Sequence, residues 1–236
     1  MTSAVAAANL GRVFGTGSVA VRALSSVDLE IATGEFVVFL GPSGSGKTTL
    51  LNLVGAIDTP TEGGLVVDGI DITRLDDNER TDFRRGHVGF VFQFFNLIPT
   101  LTALENVELI AELTDGDGAV RARRALEIVG LQTRFNSFPA ALSGGEQQRV
   151  AIARAVAKAP SILLADEPTG ALDLETGRVV LDYIHRLNRD RNLTVLLVTH
   201  NVVVADMADR VVRLRDGRVV DDHRVSQPVA ATALQW

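Results

Sequence analysis

Cysteine is absent from all 236 residues, which excludes disulfides and thiolate metal sites and fits a reducing compartment. Positive charge is not in excess either. Lys and Arg number 23 against 29 Asp and Glu, a net charge of −6, and that balance argues against a protein that holds nucleic acid by counterion release. Long apolar runs are also missing. Those present, such as 36–40, 162–165 and 195–198, are strand-sized, whereas a membrane span needs ~20 consecutive apolar residues. The opening MTSAVAAANLGRVFG has no basic start and no long apolar run, so no secretory signal is expected. The expectation is a soluble protein that stays inside the cell. No long linker, low-complexity tract or internal repeat interrupts the chain, and one domain with an appended subdomain is expected at this length.

What is present alternates between two textures. Val27, Leu29 and Ile31 alternate with Asp28 and Glu30, the pattern of a half-buried strand. Residues 35–40 form an apolar run of buried-strand type. The Gly-rich stretch 41–46 follows, then a helical pattern from Lys47 to about Ile57. Residues 64–72 and 87–93 read as further strands. From Asn96 to Lys158, Ala, Leu, Glu and Arg dominate and favour helices, with a break at Asp115-Gly116-Asp117-Gly118. Strands return at 161–165 and 193–199. A hairpin is expected over 211–220, around Asp216-Gly217, a dipeptide suited to a tight primed turn. The reading is an α/β core interrupted by a mostly helical insertion.

Gly41-Pro42-Ser43-Gly44-Ser45-Gly46-Lys47-Thr48 matches G-x-x-x-x-G-K-[ST] in full and sits between an apolar strand and a helix, where that pattern belongs. Glycines let backbone N–H groups converge on an anion, and the helix N-terminus adds partial positive charge. Lys47 would reach the β- and γ-phosphates and Thr48 would bind Mg²⁺. The bland alternative is an ordinary Gly/Ser turn that contains a lysine, which the flanking strand and helix disfavour.

A second apolar strand ends in Asp166-Glu167-Pro168. Asp166 at the strand tip can hold Mg²⁺ opposite Thr48. Glu167, one residue on, is expected to point the other way and polarise an attacking water. Alone, such an acidic pair would be read as a solvated turn. Beside a full phosphate loop the catalytic reading prevails.

Leu142-Ser143-Gly144-Gly145-Glu146-Gln147-Gln148-Arg149 opens a long Ala- and Val-rich helical run. Ser143 and Glu146 fit a capping box, and the free N–H groups behind two glycines and a serine hydroxyl make a second anion site. A cap accounts for Ser143 and Glu146 but not for Gly144-Gly145 followed by Gln-Gln-Arg. At this point the chain, from about Asn9 to Val220, resembles the ATP-binding-cassette (ABC) family. LSGGEQQ just upstream of ILLADEP carries the resemblance most specifically.

That resemblance implies a P-loop NTPase (RecA-like) α/β core with an N-terminal antiparallel β subdomain and an inserted α-helical subdomain. The division implied is residues 1–93 and 161–236 against 94–160, within one ATP-binding domain. ATP would be bound by Gly41 to Thr48 with Thr49, and by Phe14 stacking on adenine. The family more often has tyrosine there, and a Phe near a strand end is equally a core residue, although stacking needs only the ring face. Gln93 resembles the glutamine that meets Mg²⁺ and water, and His200 the histidine that contacts the γ-phosphate. Asp173, in Gly170-Ala171-Leu172-Asp173, resembles the loop that crosses a dimer interface. His87, His185 and His223 are read as structural or surface residues.

The family's dimer geometry explains why one chain carries two anion sites. Each ATP lies between the phosphate loop of one subunit and Ser143, Gly144 and Gly145 of the other. The resemblance thus implies a homodimer closed by ATP and Mg²⁺, seated at the cytoplasmic side of the membrane, and a permease as partner. No nucleic-acid partner is expected. VGFVFQFFNLIPTLTALENVEL and ADEPTGALD look most like the macrolide-exporter and lipoprotein-release ATPases, with an importer ATPase or a non-transport ABC ATPase as the alternatives, and Ala171 stands where that group usually has Asn. Phe94, Phe95, Leu97 and Ile98 suit either a permease-docking groove or the core of the insertion. Arg121-Ala122-Arg123-Arg124 reads as a solvated helix face, with permease or lipid contact the sharper alternative.

Overall fold

The computed structural model describes residues 3–114 and 116–235, so Met1, Thr2, Asp115 and Trp236 lie outside the described residues. In chain order the strands and first helix are β1 (Ser3–Phe14), β2 (Val21–Ala32), β3 (Phe36–Leu40), α1 (Lys47–Val54), β4 (Glu62–Val67) and β5 (Ile70–Asp71). Then follow α2 (Asp77–His87), β6 (Val88–Val91), α3 (Ala103–Ala111), α4 (Gly118–Ile128) and α5 (Gly144–Val156). The chain closes with β7 (Ile162–Asp166), α6 (Leu174–Arg191), β8 (Thr194–Thr199), β9 (Arg210–Arg215) and β10 (Arg218–Arg224).

Two sheets result. One is antiparallel, in the order β2-β1-β4-β5, and the other runs β10-β9-β3-β8-β7-β6. In the second, β6, β7, β8, β3 and β9 are mutually parallel and β10 turns back antiparallel on β9. Strand β3 shows why its run is unbroken. Phe36, Val38 and Leu40 face one core, shared with α3, α4, α5 and α6, while Val37 and Phe39 face another, shared with the antiparallel sheet and α1. Both faces are covered, so every position is apolar. In β2 one face is covered, so Val27, Leu29 and Ile31 are buried between exposed Asp28 and Glu30.

The expected architecture is present: an α/β core, an N-terminal antiparallel sheet and three helices between β6 and β7. Local boundaries differ for identifiable reasons. Helix α1 ends at Val54 rather than Ile57, because Ala56 takes φ 51° and the Asn52 carbonyl accepts from Ile57 and Asp58 N–H. The single strand read over 64–72 is two, β4 and β5, separated at Asp68-Gly69 with φ 50° and 77°, the primed-turn geometry of an Asp-Gly pair. The same dipeptide makes the expected hairpin at Asp216-Gly217, with φ 50° and 74°.

The interruption at Asp117 proves constructive, since its carboxylate accepts from Val120 N–H at 3.1 Å and caps α4. The Arg121 reading needs correcting. Arg121 is not a solvated face residue: its guanidinium donates to the Ala111 carbonyl, and to the Thr114 carbonyl at 2.7 Å, satisfying groups at the end of α3. Arg123 lies over the Phe135 ring, 5.3 Å from its centroid, and Arg124 is exposed.

Candidate active site

The site is assembled where β3 and β7 run out. After Leu40 the chain enters the loop 41–46, whose last residue, Gly46, takes φ 100° as the N-cap of α1. A Cβ there would meet the Ala23 carbonyl at 2.5 Å, so glycine is required both by conformation and by space. The loop closes on its own lysine. Lys47 Nζ donates to the Gly41 carbonyl at 2.7 Å, the Pro42 carbonyl at 2.9 Å and Ser45 Oγ at 3.4 Å. Burial pushes its pKa down, against the opposing pull of Glu167 and Asp166.

Asp166 ends β7 facing Thr48, whose hydroxyl donates to Asp166 Oδ2 at 2.9 Å. Burial raises the Asp166 pKa, and the nearby Glu167 adds to it, while Thr48 and Lys47 oppose. The expected opposite orientation of Glu167 is not what the chain does. Strand alternation stops at Asp166, Glu167 takes φ 49°, and both acids line one cleft of about 570 Å³. Glu167 Oε1 accepts from the His200 backbone N–H at 2.9 Å and lies 2.8 Å from His200 Nδ1, while Oε2 accepts from the Thr199 hydroxyl at 3.0 Å. A carboxylate only accepts, so Nδ1 carries the proton in that contact.

The cleft gathers Ser43, Gly44, Ser45, Gly46, Lys47, Thr48, Thr49, Gln93, Asp166, Glu167 and His200. Gly41 and Pro42 sit behind it as acceptors for Lys47. Phe14 is 42 % exposed rather than core. It pairs across β1 and β2 with Val21, which lines the cleft, and the Arg12 guanidinium covers its ring at 4.6 Å. Val21, Arg22 and Ala23 complete the rim. They were not foreseen, because nothing in a strand's first residues signals a nearby ligand. Thr199, which ends β8 and steadies Glu167, was missed because that contact joins segments distant in sequence.

Ser143, Gly144, Gly145 and Asp173 do not line this cleft. Ser143 caps α5 in a complete capping box: its Oγ accepts from Glu146 N–H at 3.2 Å and its N–H donates to Glu146 at 2.9 Å. That N–H lowers the Glu146 pKa, with Arg134 assisting. A Cβ on Gly145 would lie 2.1 Å from Thr176 Cγ2, so the second glycine exists to let α6 approach. Asp173 caps α6, accepting from Thr176 N–H at 3.0 Å and Thr176 Oγ1 at 2.6 Å, bonds that hold its pKa down.

The donors facing the cleft suit Mg²⁺. Thr48, Asp166 and Gln93 supply hard oxygens, and no cage of three His, Cys, Asp or Glu exists among the described residues. Mg²⁺ needs no such cage, since it keeps waters and substrate phosphates as ligands. A cation there would also offset the burial that raises the Asp166 pKa.

Comparison with known proteins decides the family. The chain matches the ABC transporter family over residues 24–170. It belongs to that family. An ABC transporter ATP-binding protein of Methanocaldococcus jannaschii is 49 % identical over 224 residues, covering 92 % of this chain and 95 % of the relative. The lipoprotein-releasing system ATP-binding protein LolD of Geobacter metallireducens is 46 % identical over 225 residues, covering 94 % and 100 %. A solved dimeric ATP-binding cassette, bound to ADP and Pi in a post-hydrolysis state, superposes with a TM-score of 0.86 at 45 % identity, covering 94 % of this chain and 98 % of that one. The ABC cassette described here shares that fold, and no helix among its described residues is long and apolar enough to cross a membrane.

Proposed function

We propose that this cassette binds and hydrolyses Mg²⁺-ATP as one of two identical subunits closing around two nucleotides, and that the cycle drives a membrane permease. The observation that carries this reading is the separation of two anion-ready helix N-termini on one chain. Helix α1 opens into the cleft with Lys47 and Glu167, whereas α5, capped by Ser143, opens outside it. Each half is redundant unless a second copy brings its α5 to the cleft.

In this reading Lys47 and the loop amides bind the phosphates, and Phe14 offers a ring face to the base. Thr48, Asp166 and Gln93 hold Mg²⁺, which when bound neutralises developing charge on the phosphates. Glu167 orients and polarises the attacking water, and Thr199 and His200 keep its carboxylate aimed. His200 also contacts the γ-phosphate. Asp173 lies at the subunit boundary.

The partner is a permease of exporter or mechanotransmission type, approached from the cytoplasmic face. The lipoprotein-releasing relative supports that choice. So do Phe94, which is 71 % exposed, and a groove of about 240 Å³ lined by Phe90, Phe92, Leu109 and Ile110. Leu97 instead packs on the core. The proposal treats residues 94–160 as the subdomain that receives the permease, and 1–93 with 161–236 as the nucleotide-binding remainder.

Glu167→Gln tests the chemistry. The substitution keeps shape and hydrogen-bonding capacity but removes basicity, a role typically worth ~10²–10⁴-fold in rate. An ATP-bound dimer should accumulate in size-exclusion chromatography with Mg²⁺-ATP, where the native chain returns to monomer. Phosphate release at the native rate would move the catalytic role to His200.

A further inference from the structure

One side chain of the LSGGEQQ segment has a job that neither the cap nor the second anion site requires. Gln148, in the second turn of α5, is fully buried. Its Nε2 donates to the Phe92 carbonyl at 3.2 Å and to the Pro168 carbonyl at 2.7 Å. Phe92 immediately precedes Gln93, and Pro168 immediately follows Glu167. The orientation of the amide is forced, because both partners are carbonyls and can only accept. Its own Oε1 is buried with no partner, a cost that an apolar residue of the same size would avoid. An apolar residue would, however, leave the Phe92 and Pro168 carbonyls without that donor, so what the glutamine adds is the bridge between the two segments.

Further along the same helix, Arg154 donates to the Phe95 and Asn96 carbonyls at 2.9 and 2.6 Å. The segment carrying Gln93 is thus tied to α5 on both sides, whereas the Glu167 side is tied through Gln148. We infer that Gln148 is a positioning residue that holds the Gln93 and Glu167 segments in register with α5. A displacement of the helical insertion then reaches both groups together, through the helix that also presents Ser143. Gln148 does not itself line the cleft. The inference rests on the assignment of Gln93 and Glu167 to the reaction given above.

The test is Gln148→Met, which preserves volume and removes both donors. In the full-length protein, kcat for Mg²⁺-ATP hydrolysis should fall about 10- to 100-fold, the scale of a small misplacement of reacting groups. KM and nucleotide affinity should stay within about threefold, because the phosphate loop is untouched. Native kcat overturns the inference, as does a parallel loss of nucleotide affinity, which would mark a general structural role. Arg154→Met, which loosens only the Gln93 side, should lower kcat less. Hydrogen exchange on the unmutated chain gives an independent reading should Gln148→Met fail to fold. Residues 92–96 and 167–170 should change protection together when Mg²⁺-ATP is added, and independent changes would refute the coupling. Glu167→Gln run in parallel separates the failures. If it hydrolyses ATP normally the catalytic reading falls, whereas if it is inactive and Gln148→Met is native only the coupling falls.

Discussion

Lys47 spends its ammonium on the loop that bears it, donating to Gly41, Pro42 and Ser45, and burial makes that charge costly to keep. A phosphate is a stronger acceptor than a carbonyl, so nucleotide completes an arrangement the loop has begun. Lys47→Ala should weaken nucleotide binding by more than tenfold in a fluorescent-nucleotide titration, since backbone amides replace only part of the lost charge. Unchanged affinity would remove the phosphate-loop assignment. Glu167 differs in kind. It sits at a positive φ that strains most residues other than glycine, and Thr199 and His200 hold it there. The sequence motif names Glu167 as an acid, but only the backbone turn explains why it and Asp166 face one cleft.

At the scale of elements, capping decides where helices begin. Asp76, Thr102 and Ser143 each form a complete capping box, with Glu79, Glu105 and Glu146. Only the last is an anion-site candidate, because only it is followed by Gly144 and Gly145. Ser143→Arg removes that cap, costing about 1 kcal/mol of stability, and places a bulky cation at the mouth of α5. Monomer affinity for ATP should persist while ATP-driven dimerisation and turnover are lost. Native turnover would end the shared-site reading.

The elements most legible in the sequence were those whose two faces differ or whose turn chemistry is specific: β2, β3, and the β9–β10 hairpin. Helices α2 and α6 went unread although α2 has its own D-x-x-E cap, because no motif drew attention to them. The Asp68-Gly69 turn was hidden inside an apolar stretch that looked continuous. The phosphate loop, Asp166, Glu167, Gln93 and His200, which the fold gathers at one cleft, could be named from sequence because each adjoins a distinctive motif. The rim at 21–23, Thr199 and the bridge made by Gln148 could not, since they arise from packing between distant segments.

Across the whole molecule, burial charges a toll at the far end of α5. Lys158 lines the groove beside Phe90 and Phe92, donates to the Arg84 carbonyl, and has its pKa lowered from 10.5 to about 8 by burial first, then by Arg84 and Arg85. The unfolded chain therefore binds more protons than the folded one between pH 8 and 10.5. Stability should rise with pH across that window, and the full penalty applies below it. Lys158→Met should flatten this rise in urea unfolding series at successive pH values. An unchanged slope would mean the ammonium escapes to solvent.

Lys47 and Lys158 are the only lysines in the chain, the remaining basic side chains being arginine and histidine. Lys47 lines the cleft and Lys158 lines the groove proposed to receive the permease. Isotope-labelled methyl groups placed on lysine amines would consequently yield two side-chain resonances, one in the cleft and one in the groove, with the terminal amine as the remaining signal. The protein carries its own pair of spectroscopic reporters. Changes at the cleft and at the groove can be followed at separate frequencies in one sample without introducing a foreign probe.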